Sequence, residues 1–206
     1  MKQLTIQDMP LENIKAVVFD LDGTLYDNKW LPIRLIFGDI FNARLLASER
    51  NIRRMLKGIH FGNPDAFYNN LFSHIARRQN IPFMKARDWY FGKYMPLTVS
   101  ILEKHYKAGE FVEPLMEELH KRGIKTAVFS DYRNVSEKLT ALGIDPDWFD
   151  FHFAAPDLGG LKPNKQLFEN ILKELQVDAA QALMVGDRED TDGAGAKSVG
   201  MRYLKV

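Results

Sequence analysis

Three short apolar runs, far apart in the chain, each stop abruptly on a polar residue. Ala16-Val17-Val18-Phe19 stops at Asp20, Thr126-Ala127-Val128-Phe129 at Ser130-Asp131, and Ala182-Leu183-Met184-Val185 at Gly186-Asp187. Unbroken apolar runs of this length read as strands buried on both faces, as in a parallel sheet covered by helices. Helical patterns lie between and after them. Glu113–Leu119 has Pro114 near its start and Gly123 where a C-terminal cap belongs, and Asn134–Leu142 ends at Gly143 in the same way. Pro163–Leu175 places Leu167, Phe168, Ile171, Leu172 and Leu175 on one helical face. Phe149–Phe153 and Met201–Leu204 are two further short candidate strands. The alternation predicts an α/β fold with a Rossmann-like, mostly parallel sheet and right-handed crossovers. Ligands of such sheets bind beyond the carboxyl ends of the strands. Asp20, Asp22, Ser130 and Asp187 can therefore meet in one crevice.

The rhythm breaks between Asp27 and Gly109. Residues 27–109 are read as an inserted α-helical cap of three to five helices, and residues 1–26 with 110–206 as the core. Ile36, Ile40 and Phe41 with Leu45 and Leu46 form one apolar stripe, and Phe67, Leu71, Phe72 and Ile75 another. Gly62-Asn63-Pro64 and Asn80-Ile81-Pro82 punctuate the segment. Phe67-Tyr68 and Trp89-Tyr90-Phe91 read as core rather than as a stacking platform. Arg53-Arg54 with Lys57, and Arg77-Arg78, read as solvated helix faces, with the holding of an anionic substrate as the alternative.

Composition excludes several function classes. A net charge of +1 over 206 residues gives no reason to invoke nucleic acid or an acidic membrane surface. With no cysteine there is no disulfide, thiolate metal site or thiol nucleophile. No apolar stretch is long enough to span a bilayer, and the polar start of the chain lacks a secretory pattern, so a cytoplasmic location is expected. The five histidines show no spacing that suggests a ligand pair.

What remains is an acidic pair at a strand end. Asp20 and Asp22 sit at the rim of a hydrophobic core, which is costly unless a cation or a reaction is waiting there. The run Asp20-Leu21-Asp22-Gly23-Thr24 resembles the first motif of the haloacid dehalogenase-like (HAD) hydrolase superfamily, an apolar strand followed by Asp-x-Asp-Gly-Thr. The other three motifs follow in order: Val128-Phe129-Ser130, Gly160-Leu161-Lys162-Pro163, and Val185-Gly186-Asp187 with further acids at Asp190 and Asp192. An ordered set of four is far more specific than any one of them.

The resemblance implies roles residue by residue. Asp20 would be the nucleophile that becomes an aspartyl-phosphate, and Asp22 the acid that protonates the leaving oxygen and then activates water. An acid at the second position argues for phosphate over halide. Ser130, the backbone near Asp131, and Lys162 would hold the phosphate and stabilise its transition state. Mg²⁺ would be bound by the side chains of Asp20 and Asp187, the backbone carbonyl of Asp22, and Asp192 directly or through water, with Asp190 the rival for that last place. A cap inserted after the first motif is similar to the C1 type. The implied activity is a Mg²⁺-dependent phosphatase for a small phosphorylated metabolite, similar to phosphoglycolate phosphatases. A phosphomutase of the β-phosphoglucomutase kind and a non-catalytic binding protein are the alternatives. A phosphonatase would need a cap lysine, for which Lys29, Lys57, Lys85 and Lys93 are available. Neither the substrate nor the oligomeric state is written in these motifs.

Overall fold

The computed structural model describes residues 4–206. Among them lies a five-stranded parallel sheet built from β1 (Ala16–Phe19), β2 (Lys125–Ser130), β3 (Phe151–Ala154), β4 (Ala182–Gly186) and β5 (Arg202–Lys205), in the order β3-β2-β1-β4-β5. The chain winds outward from β1 to β3, then crosses back to place β4 on the other side of β1. The strand order therefore reverses at β1 and β4, the point at which such sheets open a crevice. In register, Phe19 lies opposite both Val128 and Val185, so the residues that follow the three strands emerge side by side.

Two-residue periodicity divides the strands between two apolar layers. Val17, Phe19, Val128, Leu183 and Val185 face α6 (Val112–Lys121) and α7 (Val135–Ala141). Ala16, Val18, Ala127, Phe129, Ala182 and Met184 face α8 (Lys165–Leu175) and α9 (Ala194–Val199). The stripe Leu167, Phe168, Ile171, Leu172 and Leu175 is buried as its spacing predicts, with Phe168 edge-on to Phe129 at 5.3 Å. Burying each such side chain contributes about 1.5–3 kcal/mol. Pro163 precedes α8 rather than opening it. The helix starts at Lys165 because the Asn164 side chain accepts the Gln166 N–H at 2.9 Å.

Between β1 and α6 the chain forms five further helices: α1 (Leu31–Gly38), α2 (Ala43–Leu56), α3 (Pro64–Gln79), α4 (Phe83–Trp89) and α5 (Met95–His105). Asn63 caps α3 through the Ala66 N–H, with Pro64 at its first position, and Asn80 ends it in the left-handed conformation at φ 51°. The aromatic residues behave as core: Phe67, Tyr68, Phe72 and Tyr90 are buried and pack on one another. These helices share one continuous apolar interior with the α6/α7 face of the sheet.

The first stripe corrects the sequence reading. Leu45 and Leu46 are buried, but Ile36, Ile40 and Phe41 face outward, Phe41 being 96% exposed. The stripe is not one helix. At Asp39 (φ −142°, ψ 57°) the chain leaves α1 for a short 3₁₀ turn over Ile40–Asn42. Asp39 itself is drawn inward, accepting from Trp89 Nε1 at 3.0 Å and Asn42 Nδ2 at 2.9 Å and pairing with Lys93 at 2.6 Å. No helix among the described residues is long and apolar enough to cross a membrane.

Candidate active site

The loops after β1, β2 and β4 converge at the carboxyl edge of the sheet, beneath α2. Two glycines make the convergence possible. Gly23 has φ +106°, and a Cβ there would lie 2.6 Å from Asp187 Oδ2; a Cβ at Gly186 would clash with the Asp192 side chain, 2.6 Å from its Cγ. The carboxylates of Asp20, Asp187 and Asp192 lie within 4.8 Å of one another.

Lys162 binds this cluster together. Its ammonium has three donors, and all are used: on Asp20 Oδ1 at 2.7 Å, on Asp192 Oδ1 at 2.6 Å and on the Phe129 carbonyl at 3.1 Å. Burial works against its charge, but Asp20 and Asp192 outweigh burial and hold it protonated. Thr24 Oγ1 donates to the other oxygen of Asp20 at 3.0 Å. Even so, burial pushes the Asp20 carboxyl up against the pull of Lys162, and Asp192 adds to the rise. Burial and Asp192 also push Asp187 up. Asp187 Oδ1 is buried without a hydrogen-bond partner.

An orphaned carboxylate oxygen, three converging carboxylates and one ammonium make a site with excess negative charge and only oxygen donors. That donor set fits a hard divalent cation. Asp190, the rival of Asp192, points elsewhere: it is exposed and pairs with Arg188 at 2.8 Å and with Lys57 of the loop after α2.

Asp22 is separately held. Lys138 Nζ reaches its two oxygens at 3.2 and 3.0 Å, Tyr26 donates from its hydroxyl at 2.6 Å and Ser130 Oγ at 3.1 Å. Burial would raise the Asp22 carboxyl, but Lys138, Tyr26 and Ser130 hold it below the usual carboxylate range. Ser130 is fully buried and its hydroxyl is engaged on Asp22, while its oxygen accepts the Tyr132 N–H at 3.0 Å. Asp131 accepts the Lys162 N–H at 2.9 Å, which ties the loop after β2 to the lysine loop.

Lys138 and Tyr26 were not singled out from sequence. The signal for Lys138 was present: Val135, Lys138, Leu139 and Leu142 sit at i, i+3, i+4 and i+7, and all four are buried. A lysine inside an apolar stripe needs a counter-charge. Arg53 corrects a second reading. It is buried rather than solvated, bonded to Glu49, to the Tyr90 hydroxyl at 2.6 Å and to the Asp131 carbonyl at 2.8 Å. Arg77 and Arg78 are exposed, as read. Above the carboxylates lies a cleft of about 800 Å³, lined by Asp20, Asp22, Lys162, Asp187 and Asp192 below and by residues of α1 and α2 above.

Residues 14–200 match the haloacid dehalogenase-like hydrolase family. The chain belongs to this family. It is a hydrolase, and its curated relatives include phosphatases. It is 28% identical over 208 residues to a glyceraldehyde 3-phosphate phosphatase of Methanocaldococcus jannaschii, covering 94% of this chain and 85% of that one. It is 33% identical over 199 residues to a ribulose-1,5-bisphosphate 5-phosphatase of Halopiger xanaduensis, covering 92% and 83%. The crystal structure of a HAD phosphatase from Thermococcus onnurineus shares the fold, with a TM-score of 0.64 at 23% identity over 94% of this chain and 86% of that one.

Proposed function

We propose that this hydrolase is a Mg²⁺-dependent phosphatase that cleaves a small phosphorylated metabolite through a phosphoryl group carried on Asp20. The observation that carries the reading is the convergence of Asp20, Asp187 and Asp192 around the Lys162 ammonium at the mouth of the cleft. Asp20, Asp187 and Asp192, with the backbone carbonyl of Asp22, would hold the cation, which supplies charge neutralisation between carboxylate and phosphate.

A carboxylate oxygen of Asp20 forms the new bond to phosphorus as the ester P–O bond breaks. Lys162 and Thr24 fix that carboxylate from opposite sides. Because Lys162 has no free donor, it acts on the transition state through charge rather than through a dedicated hydrogen bond. The leaving oxygen needs a proton, which Asp22 delivers. The lowered Asp22 carboxyl suits the base of the second half-reaction, and Lys138, whose Nζ lies 3.0 Å from it, would supply the proton that Asp22 passes on in the first. Asp22 then takes a proton from the water that attacks phosphorus, releasing inorganic phosphate and restoring Asp20. The Ser130 hydroxyl and the backbone about Asp131 lie beside this path and would turn to the phosphate oxygens.

The test is release of phosphate from p-nitrophenyl phosphate and from a panel of small sugar phosphates, with Mg²⁺ or with chelator, beside Asp20→Asn. The relatives put three- and five-carbon sugar phosphates in that panel. Turnover that needs metal and falls by about a thousandfold or more in Asp20→Asn supports the reading. A variant that keeps most of its activity overturns the role of Asp20.

A further inference from the structure

We propose that Arg50 and Arg54 of α2 form a second oxyanion subsite over the cleft, and that the substrate carries a phosphate or carboxylate group besides the phosphate that is cleaved. This rests on the phosphatase reading above and adds the chemical class of the substrate. Most cations around the cleft are already committed. Lys162 is held by Asp20 and Asp192, Lys138 by Asp22, and Arg53 by Glu49. Lys57 and Arg188 share Asp190. Lys29 also lines the cleft without an ion pair, near only the Trp30 ring, but it stands alone, whereas Arg50 and Arg54 form a pair. Both line the cleft and both are exposed, yet among the described residues Arg50 has no hydrogen bond or ion pair, and Arg54 has only the neutral Asn51 Oδ1 at 3.0 Å.

Their placement is fixed. Arg50 and Arg54 stand four residues apart, one above the other on a single face of α2. The Arg53 bond to the Asp131 carbonyl and the Lys57 pair with Asp190 pin this end of α2 over the loops after β2 and β4. Arg54 is therefore one turn, and Arg50 two turns, from the contact with Asp190, roughly 5–10 Å along the helix axis. Like charges at this spacing cost an isolated helix a few tenths of a kcal/mol. Glu49 attracts Arg50 without bonding it and is itself bonded to Arg53, and among the described residues no carboxylate forms an ion pair with Arg50 or Arg54. A guanidinium pair matches a phosphate or carboxylate through bidentate bonds, which a neutral polar tail cannot reproduce. Asp20, Arg50 and Arg54 line one cleft, so a substrate with anionic groups at both ends would place one at Asp20 and the other beneath α2.

The experiment compares propane-1,3-diol bisphosphate and 3-phosphooxypropanoate with propyl phosphate, in Mg²⁺. It measures kcat/KM for the wild-type protein, for the double variant Arg50→Gln/Arg54→Gln and for Arg44→Gln. Arg44 is exposed on the same helix outside the cleft, so it reports on net charge alone. A parallel arm measures binding of the three compounds to Asp20→Asn, with and without the double substitution, by calorimetry. The expected result is a preference of tenfold or more for the two-anion compounds, collapsing toward parity in the double variant and retained in Arg44→Gln. The larger preference between bisphosphate and carboxylate names the second group. A wild-type protein that cleaves all three equally overturns the subsite while leaving the phosphatase standing. A preference that survives the double variant, or falls equally in Arg44→Gln, also overturns it. If no ester is cleaved, the phosphatase reading fails, and the binding arm still decides: equal affinity of Asp20→Asn for all three compounds overturns the subsite.

Discussion

The carboxyl edge of the sheet and the helical layer above it treat charge in opposite ways. Below, buried charges neutralise one another at short range: Lys162 with Asp20 and Asp192, and Lys138 with Asp22, all at 2.6–3.2 Å. Above, α2 presents Arg50 and Arg54 to the cleft without an ion pair among the described residues, and α1 turns large apolar side chains to solvent. Desolvation explains the first pattern, since a buried charge left alone costs several kcal/mol. Exposure permits the second, since a solvated arginine or a scattered phenylalanine costs little. The difference teaches where each part of the function resides. On the proposed reading, chemistry common to any phosphate ester would lie in the neutralised layer, and recognition of one particular ester would fall to the layer with charges to spare.

The largest expected effect that sharpens this contrast comes from Lys138, the floor cation that touches only Asp22 among the carboxylates. Lys138→Met should lower kcat/KM on an alkyl phosphate by about a hundredfold, because an alkoxide leaving group depends on proton delivery through Asp22. On p-nitrophenyl phosphate the loss should be at least several-fold smaller, since that leaving group is stable without a proton. Equal losses on both esters would make Lys138 a structural counter-ion only. Thermal melts in the same series separate folding from chemistry.

Part of the floor is legible in the sequence because Asp20, Ser130 and Asp187 close apolar runs, while Asp22 and Asp192 are legible only through the motif resemblance. The places of Asp20, Ser130 and Asp187 follow from the strand pattern alone, whereas the choice between Asp192 and Asp190 needs the structure, in which Asp192 is buried and Asp190 is exposed against Arg188. Lys138 was harder, because a buried lysine and a solvated one look alike until its helix face is known. The helical layer was less legible still. Its residues repeat at helical spacing across Asp39, but a local turn there changes which face is inward, and that turn is set by Trp89 and Lys93, some fifty residues away. Arg53 escaped for the same reason, since its partners Tyr90 and Asp131 are remote in sequence.

Asp39, like Glu49, is a buried carboxylate of the helical layer tied as tightly as those of the floor, and it gives the next effect. Asp39→Ala leaves Trp89 Nε1 without its acceptor and should cost about 2 kcal/mol in urea unfolding at pH 7. Burial opposes its ionisation, but the bonds from Lys93, Asn42 and Trp89 outweigh burial and hold the carboxyl below its usual value. A depressed folded pKa means the stabilisation is fully present above the ordinary carboxylate value of about 4 and is lost as pH falls below it. The stability gap between wild type and Asp39→Asn should thus stay constant from pH 7 to 5 and shrink at pH 3.5. A gap independent of pH would show that Asp39 contributes through packing, not charge.

The smallest effect is that of the outward side chains of α1 and the turn after it, set against the inward face of α1. Leu35 is buried against the helical interior, while Phe37, two residues on, is 75% exposed. Leu35→Ala should cost about 2–4 kcal/mol through lost burial and the cavity left behind. Phe37→Ser and Phe41→Ser remove more apolar atoms, yet each should change stability by less than about 0.5 kcal/mol, because the side chains give up little burial. Urea unfolding of the three variants at one dilute protein concentration measures the comparison. A Phe41→Ser cost approaching that of Leu35→Ala would mean that the outward face is covered in solution, and that the helical layer, like the floor beneath it, keeps its large side chains paired.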